Sequence, residues 1–333
     1  MYQVRGDHVG IIDVVDLSKY FAVKKGAFSK QASVKAVDGM TFAVKEGSVF
    51  SLVGESGCGK STVARLVLRL IPPTSGAAFF DKRNIFELKG DSLREFRKSA
   101  QIIFQDPFAS LNPRMTVYDT LSEPLRIHNV VRKSGLRDRV VSLLESVGLQ
   151  ADVLGRYPHE FSGGQRQRIC IARALSVSPR MIVADEPLSS LDVSIQAQIL
   201  NILQELKKRS RISFLFISHD LRVVQYFSDE IAVMYLGKIV EHAKAEELFG
   251  NPLHPYTDVL LSSAPKIRPD EGRARTILKG EVPSPIDIPS GCPFHPRCPK
   301  RFEPCDVIIP RLEAPAGKEF SGRLVSCHLW NSY

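Results

Sequence analysis

The sequence predicts an α/β fold that carries a helical insert and a separate C-terminal region. Up to about residue 250, short apolar segments alternate with segments of helical periodicity. Within that part, the pattern is helical from about 107 to 179. Beyond residue 250 the composition changes, since 13 of the 21 prolines lie between Pro252 and Pro315. We therefore expect a core domain at 1–250, with its helical subdomain at about 107–179, and a Pro- and Cys-rich region at 251–333.

Composition limits the class of protein. The 333 residues are 44% hydrophobic and 24% charged, which is ordinary for a globular chain. No apolar run approaches the 18 residues of a membrane span, and the N-terminus has no secretory segment. We expect a cytosolic protein, or one attached to a membrane through a partner. The net charge is +9, but Lys and Arg are scattered, so we expect no nucleic-acid partner.

The elements are predicted from periodicity and from their flanking residues. We expect strands at 11–21, 34–44, 49–53, 101–104, 181–184, 213–217 and 230–235, and a hairpin at 76–85. We expect helices at 62–70, 118–127, 136–147, 165–176 and 193–208. A Lys-, Gly- and Ser-rich loop at 24–33 separates the first two strands. The C-terminal region is expected to be turn-rich and not needed by the sheet of the core.

The strand predicted at 49–53 leads into the spacing of a phosphate-binding loop, Gly54-Glu55-Ser56-Gly57-Cys58-Gly59-Lys60-Ser61. Glycines let the backbone curl so that several N–H groups converge on one phosphate group. Lys60 can then reach the β- and γ-phosphates, and the Ser61 hydroxyl can ligate Mg²⁺. The helix that follows puts its N-terminus under the phosphates. The alternative is a chance glycine-rich turn.

Two carboxylates, Asp185 and Glu186, follow the apolar segment 181–184. A buried strand seldom ends in two adjacent acidic residues unless they bind a cation or transfer a proton. Asp185 suits the coordination shell of Mg²⁺, and Glu186 is placed to polarise an attacking water. A solvated strand end is the alternative for this segment taken alone.

Two polar residues after other predicted strands are weaker candidates. Gln105 opens the helical insert, so it could touch the metal or the water and sense movement of the insert. A surface glutamine is the alternative. His219 follows the strand at 213–217 and could donate to a γ-phosphate oxygen, whereas a helix-capping turn explains it equally well.

A second pair of glycines precedes a helical segment, in Phe161-Ser162-Gly163-Gly164-Gln165. This is another phosphate-binding geometry. One nucleotide on one subunit cannot easily use both turns, whereas two chains that meet head to tail can. Asp192 follows the turn after Pro187, where it would cap the next helix and lie near the seam between subunits. Capping alone would explain it equally well.

Taken in order, these motifs resemble the nucleotide-binding subunit of an ATP-binding-cassette transporter over about residues 10–250. The resemblance implies a P-loop NTPase (RecA-like) core with an antiparallel β subdomain and an α-helical subdomain. It implies an ATPase that holds ATP between two subunits. Hydrolysis would reopen the dimer, and the helical subdomain would pass the motion to membrane permeases.

The same resemblance implies roles for individual residues. Glu186 would be the general base, with His219 and Gln105 at the γ-phosphate, the water or the metal. Mg²⁺ would be held by Ser61, Asp185 and Gln105. Nucleotide contacts would come from Gly54, Glu55, Ser56, Gly57, Cys58, Gly59, Lys60, Ser61 and Thr62, and from Ser162, Gly163, Gly164, Gln165 and Asp192 at the dimer seam. Phe21 fits the position of the aromatic residue that stacks on adenine, and Tyr20 is its rival.

Two departures from the family pattern are small. Phe161 stands where Leu is usual, and Ser190 where Ala is commoner. Neither removes a catalytic group, so we expect an active site.

Three further stretches, 103–114, 191–198 and 251–257, resemble importers of dipeptides, oligopeptides or nickel. The insertion Val23-Lys24-Lys25-Gly26 resembles the second of two ATPase subunits in such systems. This implies a heterodimer with a similar subunit, with a homodimer as the alternative. Two transmembrane permease subunits and, indirectly, an extracytoplasmic peptide-binding protein would be its partners at the cytoplasmic face of the membrane. Dipeptides, longer peptides, nickel chelates and sugars remain open as cargo.

Four of the six cysteines, Cys292, Cys298, Cys305 and Cys327, lie in the C-terminal region. Their spacing lacks the C-x-x-C pairs of common zinc ribbons. The family resemblance points to a [4Fe–4S] cluster that acts as a structural staple. Zinc, unliganded thiols and disulfides formed by oxidation are the alternatives. We expect His295 and His328 to lie at the surface or behind the ligands.

Two other functions fit parts of the sequence. A soluble cassette ATPase of DNA repair or translation usually carries a long coiled coil or two cassettes, and this chain has neither. A non-hydrolysing, metal-sensing regulatory module would not need Lys60, Asp185, Glu186 and His219 together. We therefore expect an ATPase that energises peptide import.

Overall fold

The computed structural model describes residues 10–23, 32–263, 281, 283–317 and 320–330. The strands are β1 (Ile12–Val23), β2 (Ala32–Val44), β3 (Val49–Val53), β4 (Ser75–Phe80), β5 (Arg83–Asn84), β6 (Ala100–Ile103), β7 (Met181–Asp185), β8 (Ser213–Ile217), β9 (Glu230–Tyr235), β10 (Lys238–Lys244) and β11 (Leu324–Val325). The helices are α1 (Lys60–Val67), α2 (Gly90–Ser99), α3 (Pro107–Ser110), α4 (Val117–Ile127), α5 (Leu136–Ser146), α6 (Gly163–Leu175), α7 (Val193–Ser210), α8 (Leu221–Phe227), α9 (Ala245–Gly250) and α10 (Pro255–Ser263).

The described residues group into two compact units. The first unit is drawn from Met1–Ala43, Val49–Phe86 and Ser218–Tyr333, and the second from Val44–Ser48 and Glu87–Ile217. The α/β class predicted from the sequence is confirmed. The insertion at residues 24–26, and most of the predicted loop at 24–33, lie outside the described residues.

The first unit contains an antiparallel sheet with the strand order β2-β1-β4-β5. β1 pairs with β4 so that Ile12 lies opposite Phe80, and the register shifts between Val15 and Ser18. β4 and β5 form the hairpin predicted at 76–85. This sheet is the antiparallel β subdomain expected from the family resemblance.

The same unit contains a second run of strands in the order β11-β10-β9-β3. β3 is buried at every residue and pairs in parallel with β9, with Leu52 opposite Ala232. An apolar strand buried on both faces is typical of a parallel sheet. β9 and β10 pair in antiparallel fashion, and β11 adds to β10 with Glu241 opposite Val325. The expectation that the sheet would not need the C-terminal region is therefore wrong, because that region supplies β11.

The second unit contains three parallel strands in the order β8-β7-β6. β7 and β8 are buried throughout, as their uninterrupted apolar sequences predict. The predicted helices at 118–127, 136–147, 165–176 and 193–208 are observed as α4, α5, α6 and α7. α6 packs against α3, α4 and α5, which gives the helical insert its own core.

Within the first unit, one buried carboxylate anchors the beginning of the C-terminal region. Glu241 in β10 is fully buried. It accepts hydrogen bonds from the backbone N–H groups of Leu253 (2.8 Å) and His254 (2.9 Å) and from the guanidinium of Arg323 (3.0 Å). A buried carboxylate needs such partners, because an unpaired charge in the interior is costly. α10 begins directly after this anchor.

No helix among the described residues combines the length and the apolar character required to cross a lipid bilayer.

Candidate functional site

The predicted phosphate loop connects β3 to α1 in the first unit. Lys60 is the first residue of α1 and is only 4% exposed. Its Nζ atom donates to the carbonyl oxygens of Gly54 (2.9 Å) and Glu55 (3.0 Å). The ammonium group therefore lies over the loop and bonds to acceptors that phosphate oxygens can replace. This is the arrangement that the sequence predicts for a phosphate-binding lysine.

Gly59 is required by the backbone at the start of α1. Its φ is +111°, and a Cβ atom there would lie 1.9 Å from the carbonyl oxygen of Ala36. Among the described residues, no side chain caps the N-terminus of this helix by a hydrogen bond. An uncapped N-terminus next to a curled loop is typical of a phosphate site, because the helix dipole favours an anion there.

The remaining polar residues of the loop lie around Lys60. Ser61 follows it in the first turn of α1 and is half-buried. The Sγ atom of Cys58 lies 3.9 Å from Nζ of Lys60, and burial raises the pKa of this thiol. Cys58 is therefore held as a neutral thiol beside the ammonium group.

His219 belongs to the same unit. Ser218, just before it, donates its backbone N–H to the carbonyl oxygen of Leu52 in β3 (3.4 Å). The backbone before His219 is therefore bonded to the strand that leads into the phosphate loop. The His219 side chain is exposed.

The two candidates for adenine stacking differ in their surroundings. Phe21 lies within the last residues of β1, not after the strand, and the residue is 40% exposed. The Tyr20 hydroxyl donates a short hydrogen bond to Asp38, which raises the pKa of the tyrosine. A lysine lies over each ring, with Nζ of Lys35 5.5 Å from the Tyr20 centroid and Nζ of Lys19 5.3 Å from the Phe21 centroid. The Tyr20 side chain is thus engaged within the protein.

In the second unit, two of the predicted catalytic residues are in contact. Glu186 follows β7 directly, and its Oε2 atom accepts a hydrogen bond from Nε2 of Gln105 (3.1 Å). Glu186 has a φ of +48°, which is unusual for a residue other than glycine, while its backbone N–H donates to Ile217 (2.9 Å). Such strained residues are often found at functional sites. Asp185, the last residue of β7, is buried.

The second pair of glycines opens α6, which begins at Gly163 and not at the predicted 165. The side chains of Ser162 and Gln165 cap the helix reciprocally. A Cβ atom on Gly164 would lie 2.5 Å from Cγ2 of Ile195, whereas one on Gly163 would meet its nearest neighbour, Leu191, only at 3.6 Å. Gly164 is needed for close packing, while Gly163 is not confined by the chain itself.

Asp192 caps α7, as one of its two predicted roles requires. Its Oδ1 atom accepts from Oγ of Ser194 (2.7 Å) and from the backbone N–H of Ile195 (3.0 Å). The hydrogen bond from Ser194 is the main cause of the lowered pKa of Asp192. Its carboxylate is exposed.

The C-terminal region brings all four of its cysteines, Cys292, Cys298, Cys305 and Cys327, to the lining of one cavity. Burial raises the pKa of Cys292 to about 11 and that of Cys327 to about 12. Without a cation these thiols are neutral at pH 7. In the described ranges, however, no three His, Cys, Asp or Glu side chains are arranged to hold a metal ion. The four cysteines are therefore of the right type, and share the right cavity, for a group bound by thiolates. Their side chains are not arranged in the geometry of a ligand set.

Three histidines also line this cavity. A ring nitrogen of His295 bonds to the carbonyl oxygen of Cys292 (3.0 Å), and one of His328 bonds to that of Ile308 (2.8 Å). His254, which we did not single out from the sequence, is buried, and burial lowers its pKa to about 3. Its Nδ1 atom accepts from the backbone N–H of Tyr256 (3.0 Å), so Nε2 carries the proton.

Two residues of the C-terminal region that we did not predict contact the phosphate loop. Arg297 forms a double hydrogen bond with the Glu55 carboxylate, at 2.8 Å and 3.1 Å. The Tyr256 hydroxyl accepts the backbone N–H of Glu55 (2.9 Å). The only signal in the sequence was that Tyr256 falls in the stretch 251–257. Nothing in the sequence indicated that residues 55 and 297 are in contact.

Comparison with known proteins gives consistent results along the chain. Residues 37–189 match the family described as ABC transporter, and residues 240–305 match the oligopeptide/dipeptide transporter C-terminal region. The chain is 49% identical to the oligopeptide transport ATP-binding protein AppF of Bacillus subtilis, over 96% of this chain and 98% of that protein. It is 46% identical to the dipeptide transport ATP-binding protein DppF of Haemophilus influenzae, over 96% and 97% of the two chains.

A solved structure shares the fold. It is the dimeric post-hydrolysis state of the ATP-binding cassette MJ0796 bound to ADP and Pi. Its TM-score to this chain is 0.62 at 26% sequence identity, and the match covers 70% of this chain and 98% of that one.

Proposed function

This chain belongs to the ABC transporter family of ATP-binding proteins, and from that premise we propose that it is the ATP-hydrolysing subunit of a peptide importer. The observation that carries the proposal is the extent of its similarity to peptide-transport ATP-binding proteins, which spans 96% of the chain. The similarity includes the C-terminal region as well as the cassette. It favours peptide import over a soluble ATPase of DNA repair or translation and over a non-hydrolysing metal sensor.

We assign the phosphates of ATP to the loop at 54–62, with Lys60 donating to phosphate oxygens and Ser61 ligating Mg²⁺ together with Asp185 and Gln105. The buried Lys60, whose ammonium group bonds to the loop's own carbonyl oxygens, supports this assignment. Mg²⁺ neutralises charge on the phosphates when it is bound. Phe21 stacks on adenine, and its exposed ring supports it over Tyr20.

We assign the general base to Glu186, which accepts a proton from the attacking water. Its hydrogen bond to Gln105 and its strained backbone support this role. His219 donates to the γ-phosphate. Ser162, Gly163, Gly164 and Gln165 act on the nucleotide of the other subunit, and Asp192 lies near the seam.

The working assembly we propose contains a second, homologous ATPase subunit, with a homodimer as the alternative. Two transmembrane permeases receive the motion, and an extracytoplasmic peptide-binding protein delivers the cargo. The chain then lies at the cytoplasmic face of the membrane. We divide it into a nucleotide-binding domain at 1–250, with a helical subdomain at about 107–179, and a C-terminal region at 251–333. The matches at 37–189 and 240–305 support this division.

For the cavity lined by four cysteines we propose a [4Fe–4S] cluster, with zinc as the alternative. The convergence of four thiols on one cavity supports a group bound by thiolates. The group would stabilise a region whose described residues form few helices and strands, and no redox role is needed.

Replacement of Glu186 by Gln tests the proposal. In cells that lack this chain, we expect wild-type protein to restore uptake of labelled dipeptides and pentapeptides, and E186Q to fail. The purified E186Q chain, mixed with its partner subunit, should lose ATP turnover by about 10²-fold or more while forming stable ATP-bound dimers. E205Q alters an exposed carboxylate of α7 and serves as the matched control. Unchanged turnover in E186Q would remove Glu186 as the base, and restored uptake of a sugar but of no peptide would contradict the cargo class.

A further inference from the structure

The C-terminal region holds Glu55 of the phosphate loop by its side chain. Nη1 and Nη2 of Arg297 donate to the two carboxylate oxygens, at 2.8 Å and 3.1 Å. The Arg297 side chain is 7% exposed and that of Glu55 is 28% exposed. A two-point pair of this kind fixes the direction of the carboxylate as well as its distance, because both groups are planar.

The same region also holds Glu55 by its backbone. The Tyr256 hydroxyl that accepts the N–H of Glu55 belongs to a ring packed among other aromatic rings. The ring of Tyr256 lies 4.8 Å from that of Tyr235 and 5.3 Å from that of Phe294, centroid to centroid. Phe294 lines the cavity of the four cysteines. The second residue of the loop is therefore held at two points by the C-terminal region.

Glu55 places a negative charge in the loop that we assign to phosphates. Like charges in a partly buried site repel, and this repulsion is weakly screened. Arginine is always charged at physiological pH, and its fork matches a carboxylate. The Arg297 pair therefore neutralises Glu55 and turns its carboxylate toward the C-terminal region.

We propose that Arg297 is a positioning residue for nucleotide binding, which pairs with Glu55 so that this carboxylate does not oppose the phosphates held by the loop. The proposal rests on the assignment of a nucleotide to the phosphate loop. It makes the C-terminal region a determinant of nucleotide affinity. The essential prediction is that loss of Arg297 weakens binding only while the Glu55 carboxylate is present.

The test is calorimetric titration of the full-length chain with MgADP, which binds without being hydrolysed. We expect R297Q to raise the Kd about tenfold, a typical size for coupling between two sites. We expect the double variant R297Q/E55Q to bind as tightly as E55Q alone. Thermal unfolding of each variant identifies any loss of fold, and R297M, which keeps the aliphatic stem without the charge, then replaces R297Q.

Two reference variants complete the experiment. R301Q removes an exposed pair with Asp306 in the same segment and should leave the Kd unchanged. K60M should abolish binding, and wild-type affinity in K60M would overturn the assigned nucleotide site itself. If K60M does not bind MgADP, two results would overturn the inference about Arg297. One is a Kd of R297Q for MgADP within about twofold of the wild-type value. The other is that the double variant binds MgADP as weakly as R297Q does. The second result would show that the loss does not come from the carboxylate.

Discussion

The side-chain amide of Gln105 donates a hydrogen bond to the carboxylate of Glu186, so the residue that opens the helical insert is tied to the acid that follows β7. Both residues were predicted for the site from separate motifs, 81 positions apart. From this contact we infer that Gln105 orients the carboxylate of the proposed base. A movement of the segment around Gln105 would release Glu186 from that orientation.

Removal of the amide should slow hydrolysis. A hydrogen bond to a charged group contributes about 1.5–3 kcal/mol, so we expect Q105A to lower the rate of ATP turnover about tenfold or more. Steady-state turnover of the assembled transporter measures the effect. Q101A is the matched control, because Gln101 bonds to a backbone carbonyl in α2 and not to the proposed base. Equal losses in Q101A and Q105A would show that the contact with Glu186 is not the cause.

The two glycines at the start of α6 should respond differently to alanine. G164A places a methyl group against Cγ2 of Ile195 and should destabilise the fold by about 1–3 kcal/mol. The second substitution I195A should restore much of that stability. The added methyl group of G163A has room within the chain, so this variant should keep the wild-type unfolding midpoint. It should lose ATP turnover, because the methyl group would contact the nucleotide bound to the other subunit. Denaturant unfolding and turnover assays separate the two effects. A G163A chain with full turnover in the assembled transporter would count against the shared site.

Adenine stacking can be assigned by one pair of variants. Stacking of a base on an aromatic ring contributes about 1–3 kcal/mol, so F21A should raise the Kd for MgADP about tenfold. Y20L removes the rival ring together with its hydrogen bond to Asp38, and it should bind MgADP as wild type does. Calorimetry of the full chain provides both values. The reverse pattern would transfer the role to Tyr20.

The cavity of the four cysteines should hold iron and sulfide after anaerobic purification. We expect about four of each per chain, with visible absorbance that bleaches on exposure to air. C298S should lose this content. C170A serves as the control, because Cys170 is buried in α6, where burial raises its pKa to about 11. Stoichiometric zinc without sulfide would show that the cavity holds the alternative metal. A wild-type protein without any metal would show that the four cysteines are structural thiols.

The sequence was most informative where one local pattern decides the outcome. β3, β7 and β8 are short apolar runs bounded by polar residues, and their positions were predicted within one residue. α2 was missed because it is mostly polar, with Phe96 its one buried residue. β11 was missed because two residues carry no periodicity, and only pairing with β10 makes them a strand.

The same distinction applies to the site. The loop at 54–61 is one continuous motif, so its position between a strand and a helix could be predicted. The contact between Arg297 and Glu55 joins residues 242 positions apart, and neither position belongs to a pattern that points to the other. The shared cavity of the four cysteines agrees with their clustering in the sequence. Their orientation within it depends on side-chain packing that spacing does not encode.

The pairing of β11 with β10 affects the order in which the protein is built. During translation, residues 238–244 leave the ribosome about eighty residues before 324–325. The edge of β10 that pairs with β11 is therefore open until β11 has been synthesised. An open edge can pair with strands of other nascent chains and aggregate. Ribosome stalling between these two segments would therefore yield a product whose cassette motifs are all present but whose sheet is unfinished, which makes it a candidate for chaperone binding or degradation.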